Sequence, residues 1–380
     1  MIRDQVRTGA YVEALRRAVK PGDVVIDLGT GTGIFALIAC QLGARHVYAV
    51  DPNPLVEVGK QIAAANGYSD RITFIRGIAN RVQFPELADV VVGDLRGSHP
   101  LVASNLATYA ALAQRLKPGG IMIPQQDRVY AALIQAPARY AREVLQPWAD
   151  NPYQLDMRAA LPLILNAALI SGYNPARDEV ILPSQLWGAI DYPTLGDHPG
   201  PVQFDRTLSW QVEAAGAAHF LYIWFETELY DGVGFSNAPE SSERRPWVYG
   251  NVYPLAQPLD LLPGQRVALT LKANLVGQVY VFQWATRLFA DADAAVPLQQ
   301  FNQSTFFATL LQDVHKRAAQ FKPTLTPNGR VQAFILGEMA RGEFTVAAIA
   351  QAAGRQFPDV LPDDMTALAE VARLSQIFSQ

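Results

Sequence analysis

The 380-residue chain holds one cysteine, five histidines and only 17% charged residues. The lone Cys40 excludes a disulfide within the chain and suits a reducing cytoplasm. No metal site is expected. No apolar run reaches the ~18 residues of a membrane span. The best of them, Ala159–Ile170, is interrupted by Pro162 and Asn166, so no membrane partner is expected. Met1-Ile2-Arg3-Asp4 does not open a signal peptide. Internal repeats and low-complexity tracts are missing too. The formal net charge of −4 argues against a general polyanion-binding surface, and hence against nucleic acid. What is present is an ordinary globular composition, half apolar, with length for two or three domains.

The informative stretch is Val24–Pro54. An apolar strand, Val24 to Leu28, runs into Gly29-Thr30-Gly31-Thr32-Gly33, then a helix from Ile34 to Leu42, then a second strand from His46 ending on Asp51. Glycines let the backbone turn sharply and approach a ligand, and the helix N-terminus offers unpaired N–H groups. A carboxylate at the tip of the second strand can accept both hydroxyls of a ribose. Dinucleotide folds space their glycines G-x-G-x-x-G, whereas here the spacing is G-x-G-x-G with Asp27 two residues ahead. This D-x-G-x-G-x-G form resembles motif I of the S-adenosylmethionine methyltransferases. The resemblance implies cofactor contacts from Asp27, Gly29, Gly31, Gly33 and Asp51, with Asp27 accepting from the methionine ammonium or ordering water. A glycine turn without ligand is the plain alternative.

Upstream, MIRDQVRTGAY reads as the start of an amphipathic helix with Tyr11, Leu15 and Val19 on one face. The segment resembles M-L-x-D-x-x-R-T-x-x-Y, which opens the core of the protein arginine methyltransferases. That resemblance implies that Arg7 binds the cofactor carboxylate, as a planar guanidinium can with two parallel bonds. It extends through GARHVYAVDPNP, where the family usually has Glu in place of Asp51. It continues through RITFIRGIANRVQF, where Asn80 stands at the position of a glutamate that contacts the adenine amine.

The loop Gly93–Asn105 follows the strand Ala88–Leu95 and is where an acceptor must sit. The family carries two glutamates here that clamp the substrate guanidinium. This chain has Asp94 at the first position and Ala103 at the second, with Arg96 and His99 between them. One carboxylate fewer and one cation more disfavour a buried guanidinium. Asp94 and His99 are therefore expected as base candidates, and Arg96 as an attractor of an anionic acceptor. Further on, the family's Thr-His-Trp loop reads Arg245-Pro246-Trp247, a second departure in the same pocket.

The expected fold class is α/β followed by β. A Rossmann-like class I methyltransferase domain (1–129) precedes a β-barrel or sandwich domain (130–296), recognised by short β-runs such as Phe204–Val212 and His219–Leu229. The apolar helix Ala159–Ile170 falls where the family has its dimerisation arm, at about 148–175, and the resemblance thereby implies a homodimer, with core burial within one chain as the alternative. Residues 297–380 are expected to form a helical module, with Phe301–Phe321 helical and three short helices after Pro323–Pro327. Phe344–Gly354 has no Lys or Arg for phosphates, so a partner- or carrier-binding role is preferred to DNA reading. The resemblance covers about three quarters of the chain, Met1 to Leu288. It implies S-adenosyl-L-methionine as cofactor, and the two departures in the pocket point to methyl transfer to a small-molecule or peptide acceptor other than arginine. An arginine methyltransferase with a rebuilt pocket, or a non-catalytic cofactor-binding scaffold, are the alternatives.

Overall fold

The computed structural model describes residues 2–149, 151–169, 173–197, 200–239, 250–308, 316 and 320–379. The chain divides into a unit running to Thr309 and a second from Leu310. In the first, helix α1 (Gln5–Ala18) is capped by the Asp4 carboxylate, which accepts from the Arg7 amide at 3.1 Å. Its stripe of Tyr11, Ala14, Leu15 and Ala18 is buried. Strand β1 (Val24–Leu28) is buried at every position, the pattern of a strand covered on both faces. Then come α2 (Ile34–Gln41), β2 (His46–Asp51), α3 (Val56–Ala65), β3 (Ile72–Arg76), β4 (Ala88–Gly93), α4 (Ala103–Ala113) and β5 (Leu116–Ile123). The five strands form a parallel sheet of order β3-β2-β1-β4-β5.

The strand order reverses beside β1. Leu28 pairs with Val50 on one side and with Gly93 on the other. The carboxyl ends of β1, β2 and β4 thereby deliver the glycine loop, Asp51 and Asp94 to one edge. Open α/β sheets bind ligands at such a switch point.

An antiparallel domain follows: β6 (Gln126–Ile134), β7 (Val180–Asp191), β8 (Phe204–Gln211), β9 (Gly216–Tyr230), β10 (Val233–Ser236), β11 (Asn251–Leu261), β12 (Arg266–Val276), β13 (Val279–Phe289) and β14 (Gln299–Ser304). One sheet has the order β10-β9-β6-β7 with β11 also on β9, and the other is β14-β13-β12-β8. Trp187, Trp210, Tyr253, Leu271 and Trp284 share one buried cluster with β1 and β4.

Two expectations change here. Phe301 lies in strand β14, paired with Thr286 of β13, instead of opening a helix, because 299–302 alternate half-buried and exposed residues along an existing sheet edge. The apolar stretch from Ala159 is helical only over Arg158–Ala160 and Leu161–Leu165. Asn166 ends it, donating to the Pro162 carbonyl at 2.7 Å and accepting from the Ser304 amide at 2.8 Å. Ile164, Leu165 and Leu169 then pack on the chain's own cluster of Tyr140, Phe220 and Trp224. Ile170, the expected end of the arm helix, lies outside the described residues.

The second unit contains helices Pro327–Arg341, Val346–Gln356 and Asp364–Phe378. Each is capped by a side chain, Thr326, Thr345 and Asp363 respectively. They close over Val331, Ile335, Ile349, Ala353, Leu361, Val371 and Leu374. No helix among the described residues is long and apolar enough to cross a membrane.

Candidate cofactor and acceptor site

The loop after β1 is held by β2. The amides of Gly29 and Thr30 donate to the Val50 carbonyl at 2.8 and 3.2 Å. The Gly31 amide donates to Asp51 Oδ2 at 2.9 Å, and the Asn53 amide to Asp51 Oδ1 at 2.8 Å. Glycine is required at Gly29, where φ is +62° and a Cβ would lie 2.5 Å from Leu95 Cδ2. It is required again at Gly33, which enters α2 at φ +88° with the Phe74 ring 3.0 Å from where a Cβ would stand.

Asp27 is fully buried beneath this loop. Its Oδ2 accepts from Thr30 Oγ1 at 2.6 Å and from the Ala36 amide at 3.0 Å, which fixes the loop to the start of α2. Its Oδ1 has no partner among the described residues. Burial raises its pKa to about 7, against the opposing pull of the Thr30 and Ala36 bonds. A cavity of about 440 Å³ opens at the same edge, lined by Gly29, Val50, Gly77, Asn80, Asn105 and Thr108 among others. This edge of the sheet suits S-adenosylmethionine: Gly29 and the Asn80 amide line the cavity, and the adjoining glycine loop carries the strand-tip carboxylate of Asp51 and covers the unpaired oxygen of Asp27.

Arg7, held in the first turn of α1 by the Asp4 cap, directs Nε and Nη2 to Asp94 Oδ2. Asp94 Oδ1 lies 3.5 Å from Arg96 Nη2. Arg96 itself is buried and turned into the antiparallel domain. Its Nη1 donates to Asp127 Oδ1 at 2.8 Å and to Thr227 Oγ1, and its Nη2 donates to the Tyr11 hydroxyl. Tyr11 in turn donates to the Gly93 carbonyl at 2.9 Å, and Tyr192 to Asp127 Oδ2 at 2.6 Å. Burial pushes the Tyr11 and Tyr192 hydroxyls well above their ordinary pKa, so both stay neutral. Burial alone would lower that of Arg96; Asp127, Tyr11 and Asp94 outweigh it and hold the guanidinium charged.

The structure thus brings Arg7, Asp94 and Arg96 into one cluster, and Asp27, Gly29, Gly31, Gly33, Asp51 and Asn80 around one loop and cavity. It corrects the reading of Arg96 as an attractor of an anionic acceptor: the guanidinium is buried, and its Nη1 and Nη2 donate to Asp127, Thr227 and Tyr11. His99 sits apart. Its ring packs edge-on to Phe282 of β13 at 5.0 Å, Nδ1 is unpartnered, and burial lowers its pKa to about 4. Ala103, at the second clamp position, starts α4. Trp247 and its loop, Arg245-Pro246-Trp247, lie outside the described residues. Sequence reasoning missed Asp127, Thr227 and Tyr192, which carry no local motif. Tyr11 was visible within the MIRDQVRTGAY segment, but as a core position.

A family model described as "Ribosomal protein L11 methyltransferase (PrmA)" matches residues 7–137. The chain is similar to "Probable protein arginine N-methyltransferase 6" of Arabidopsis thaliana, 36% identical over 253 residues, which are 64% of this chain and 56% of that protein. It is 27% identical over 248 residues to "Protein arginine N-methyltransferase 1" of Oryza sativa subsp. indica, covering 63% of this chain and 62% of that one. The chain therefore spans less than two thirds of the length of these relatives. Among solved structures, Arabidopsis thaliana protein arginine methyltransferase 10 superposes with TM-score 0.68 at 21% identity, covering 80% of this chain and 95% of that one. The Trypanosoma brucei PRMT1 enzyme–prozyme heterotetrameric complex with AdoHcy gives the same TM-score at 23% identity, with the same coverage. In sequence the chain is similar to the protein arginine methyltransferases, and it shares their fold, a class I S-adenosylmethionine methyltransferase-like sheet followed by an antiparallel domain.

Proposed function

We propose that the chain is an S-adenosyl-L-methionine-dependent methyltransferase whose acceptor is a small-molecule or peptide nucleophile other than arginine. The cofactor half rests on the cavity at the carboxyl ends of β1 and β2, which Gly29, Val50 and Asn80 line and beside which Asp51 holds the glycine loop. Asp51 would accept the ribose hydroxyls, Asn80 would meet the adenine amine, and Arg7 would share its guanidinium between Asp94 and the methionine carboxylate. The sulfonium supplies an activated methyl group, so the protein has mainly to align it with the acceptor. Alignment of this kind contributes ~7–11 kcal/mol to lowering a barrier. Of the two base candidates in the acceptor loop, Asp94 stands in the cluster with Arg7 and Arg96, whereas His99 is buried as a neutral ring against Phe282 and is not retained.

The observation that carries the acceptor assignment is the environment of Asp94. One oxygen is taken by Arg7 and the other faces Arg96. Calorimetric titration with S-adenosylmethionine and S-adenosylhomocysteine, with NAD as control, tests the cofactor: micromolar binding of the first two and none of NAD is expected. Binding of neither would leave a scaffold. The names of the relatives favour the second reading, an arginine methyltransferase, and methylated guanidinium in the mass spectrum of an arginine peptide would establish it. Exposed Tyr153, Leu155 and Met157 favour a homodimer assembled through this segment, and the lone Cys40 favours the cytoplasm.

A further inference from the structure

The buried guanidinium of Arg96 rests on a surface laid out by strand register. In the sheet of β10, β9 and β6, Phe235 stands opposite Thr227, and Thr227 stands opposite Asp127. Directly paired residues project to the same face, and so does Phe225, two residues before Thr227. One row of a twisted sheet therefore presents a ring, a hydroxyl and a carboxylate side by side, with a second ring beside them. Helix α1, packed on β9 and β10, adds the buried Tyr11. The Arg96 Cζ lies 5.3 Å from the centre of the Phe235 ring, 5.6 Å from Phe225 and 5.7 Å from Tyr11. Two carboxylates, two hydroxyls and three aromatic faces around one planar cation make a guanidinium-binding cage.

We infer that Arg96 is a specificity-determining residue: its guanidinium occupies a guanidinium-shaped seat beside Asp94, at the carboxyl end of β4, and excludes cationic acceptors. The charges support this. Arg7 and Arg96 balance Asp94 and Asp127, and the neighbouring tyrosines are neutral, so the cluster holds no surplus negative charge for a third cation. An incoming guanidinium would need Asp94, whose oxygens already face the chain's own arginines. The acceptor class that fits is a nucleophile uncharged at its reacting atom, such as a hydroxyl, a thiol or an unprotonated amine. This rests on the methyltransferase reading for the word acceptor, but the seat is testable without turnover.

The experiment removes the occupant and offers the seat to a free ion. In Arg96→Ala, millimolar guanidinium is expected to raise the melting temperature saturably, while urea, its neutral counterpart of the same shape, does not. The wild type should show no saturable response to either. Calorimetry with ethylguanidine, in the presence of S-adenosylhomocysteine, should detect binding to Arg96→Ala and none to the wild type. Equal binding of ethylguanidine to both proteins, or equal rescue by urea, would overturn the proposal. Should Arg96→Ala fail to fold, Arg96→Lys keeps a cation against Asp127 but lacks the planar fork. It is expected to melt several degrees below the wild type and still to reject ethylguanidine, and binding of ethylguanidine by Arg96→Lys would count against the inference. Loss of S-adenosylhomocysteine binding in the wild type would strike the methyltransferase reading and leave the guanidinium rescue as a separate result.

Discussion

At the scale of single residues, the two aspartates of the glycine motif do different work. Asp51 binds the loop amide of Gly31 and stands at the open end of the sheet, whereas Asp27 is sealed beneath the loop. Asp51→Ala should lower S-adenosylhomocysteine affinity about 10- to 100-fold, since a charge-assisted bond contributes ~1.5–3 kcal/mol. Unchanged affinity by calorimetry would remove Asp51 from the ribose site. For Asp27 the consequence is a pH dependence. Its folded pKa is about 7, above the ordinary carboxylate value of 3.8, so the native state holds its proton longer than the unfolded chain does. Its contribution to stability is therefore undiminished below about pH 4 and declines as pH rises towards 7. The full loss is on the order of a few kcal/mol. Asp27→Asn should abolish that part of the slope, and the difference between the two proteins' chemical denaturation curves from pH 4 to 8 measures it. The aspartate, the glycines and their order were all legible in the sequence, because a strand–loop–helix turn is a local structure. Which oxygen would be left unpaired was not, since that depends on how tightly Leu28, Ala36 and their neighbours pack.

At the scale of elements, legibility followed the range of the interactions. Helix α1 and three helices from Pro327 onward lie where the sequence predicts helix. The strand β1 and the helix α2 are visible as an apolar run and the helix after the glycine turn, within a residue of their observed ends. The stretch after Ala159 is not, because Asn166 is drawn into bonds with Pro162 and Ser304 and its apolar residues find a tertiary surface. The acceptor loop fails in the same way. Its polar residues look alike in sequence, yet Arg96 goes to a sheet and His99 to the Phe282 ring. His99 fastens the loop to β13 as a neutral group, with a pKa of about 4 against an ordinary 6.5. The sign is opposite to that of Asp27: stability is complete above about pH 6.5 and is lost as pH falls towards 4. His99→Phe keeps a ring on Phe282 and should remove that acid-side loss, again a few kcal/mol. If wild type and variant lose stability in parallel between pH 6.5 and 4.5, the ring is not buried as a neutral group in solution.

At the scale of the molecule, the chain separates into a cofactor-and-sheet unit and a small helical unit, each with its own buried cluster. The helical unit closes a core of nine buried residues inside three capped helices. Segments of roughly 55–65 residues can fold alone when their core is closed in this way. Residues 323–380 expressed alone should therefore melt cooperatively by circular dichroism, and a broad, non-cooperative transition would mean the unit depends on the rest of the chain. Every residue assigned to the cofactor lies in the first unit: Arg7, Asp27, the three glycines, Asp51 and Asn80. A chain ending at residue 322 should accordingly bind S-adenosylhomocysteine within about twofold of the full-length protein, as expected of independent sites. A tenfold loss would place the helical unit in the cofactor site. If affinity is retained but methylation of the true acceptor is lost, the unit serves in presenting that acceptor, and its sequence, without a basic helix, directs the search to protein or carrier partners instead of nucleic acid.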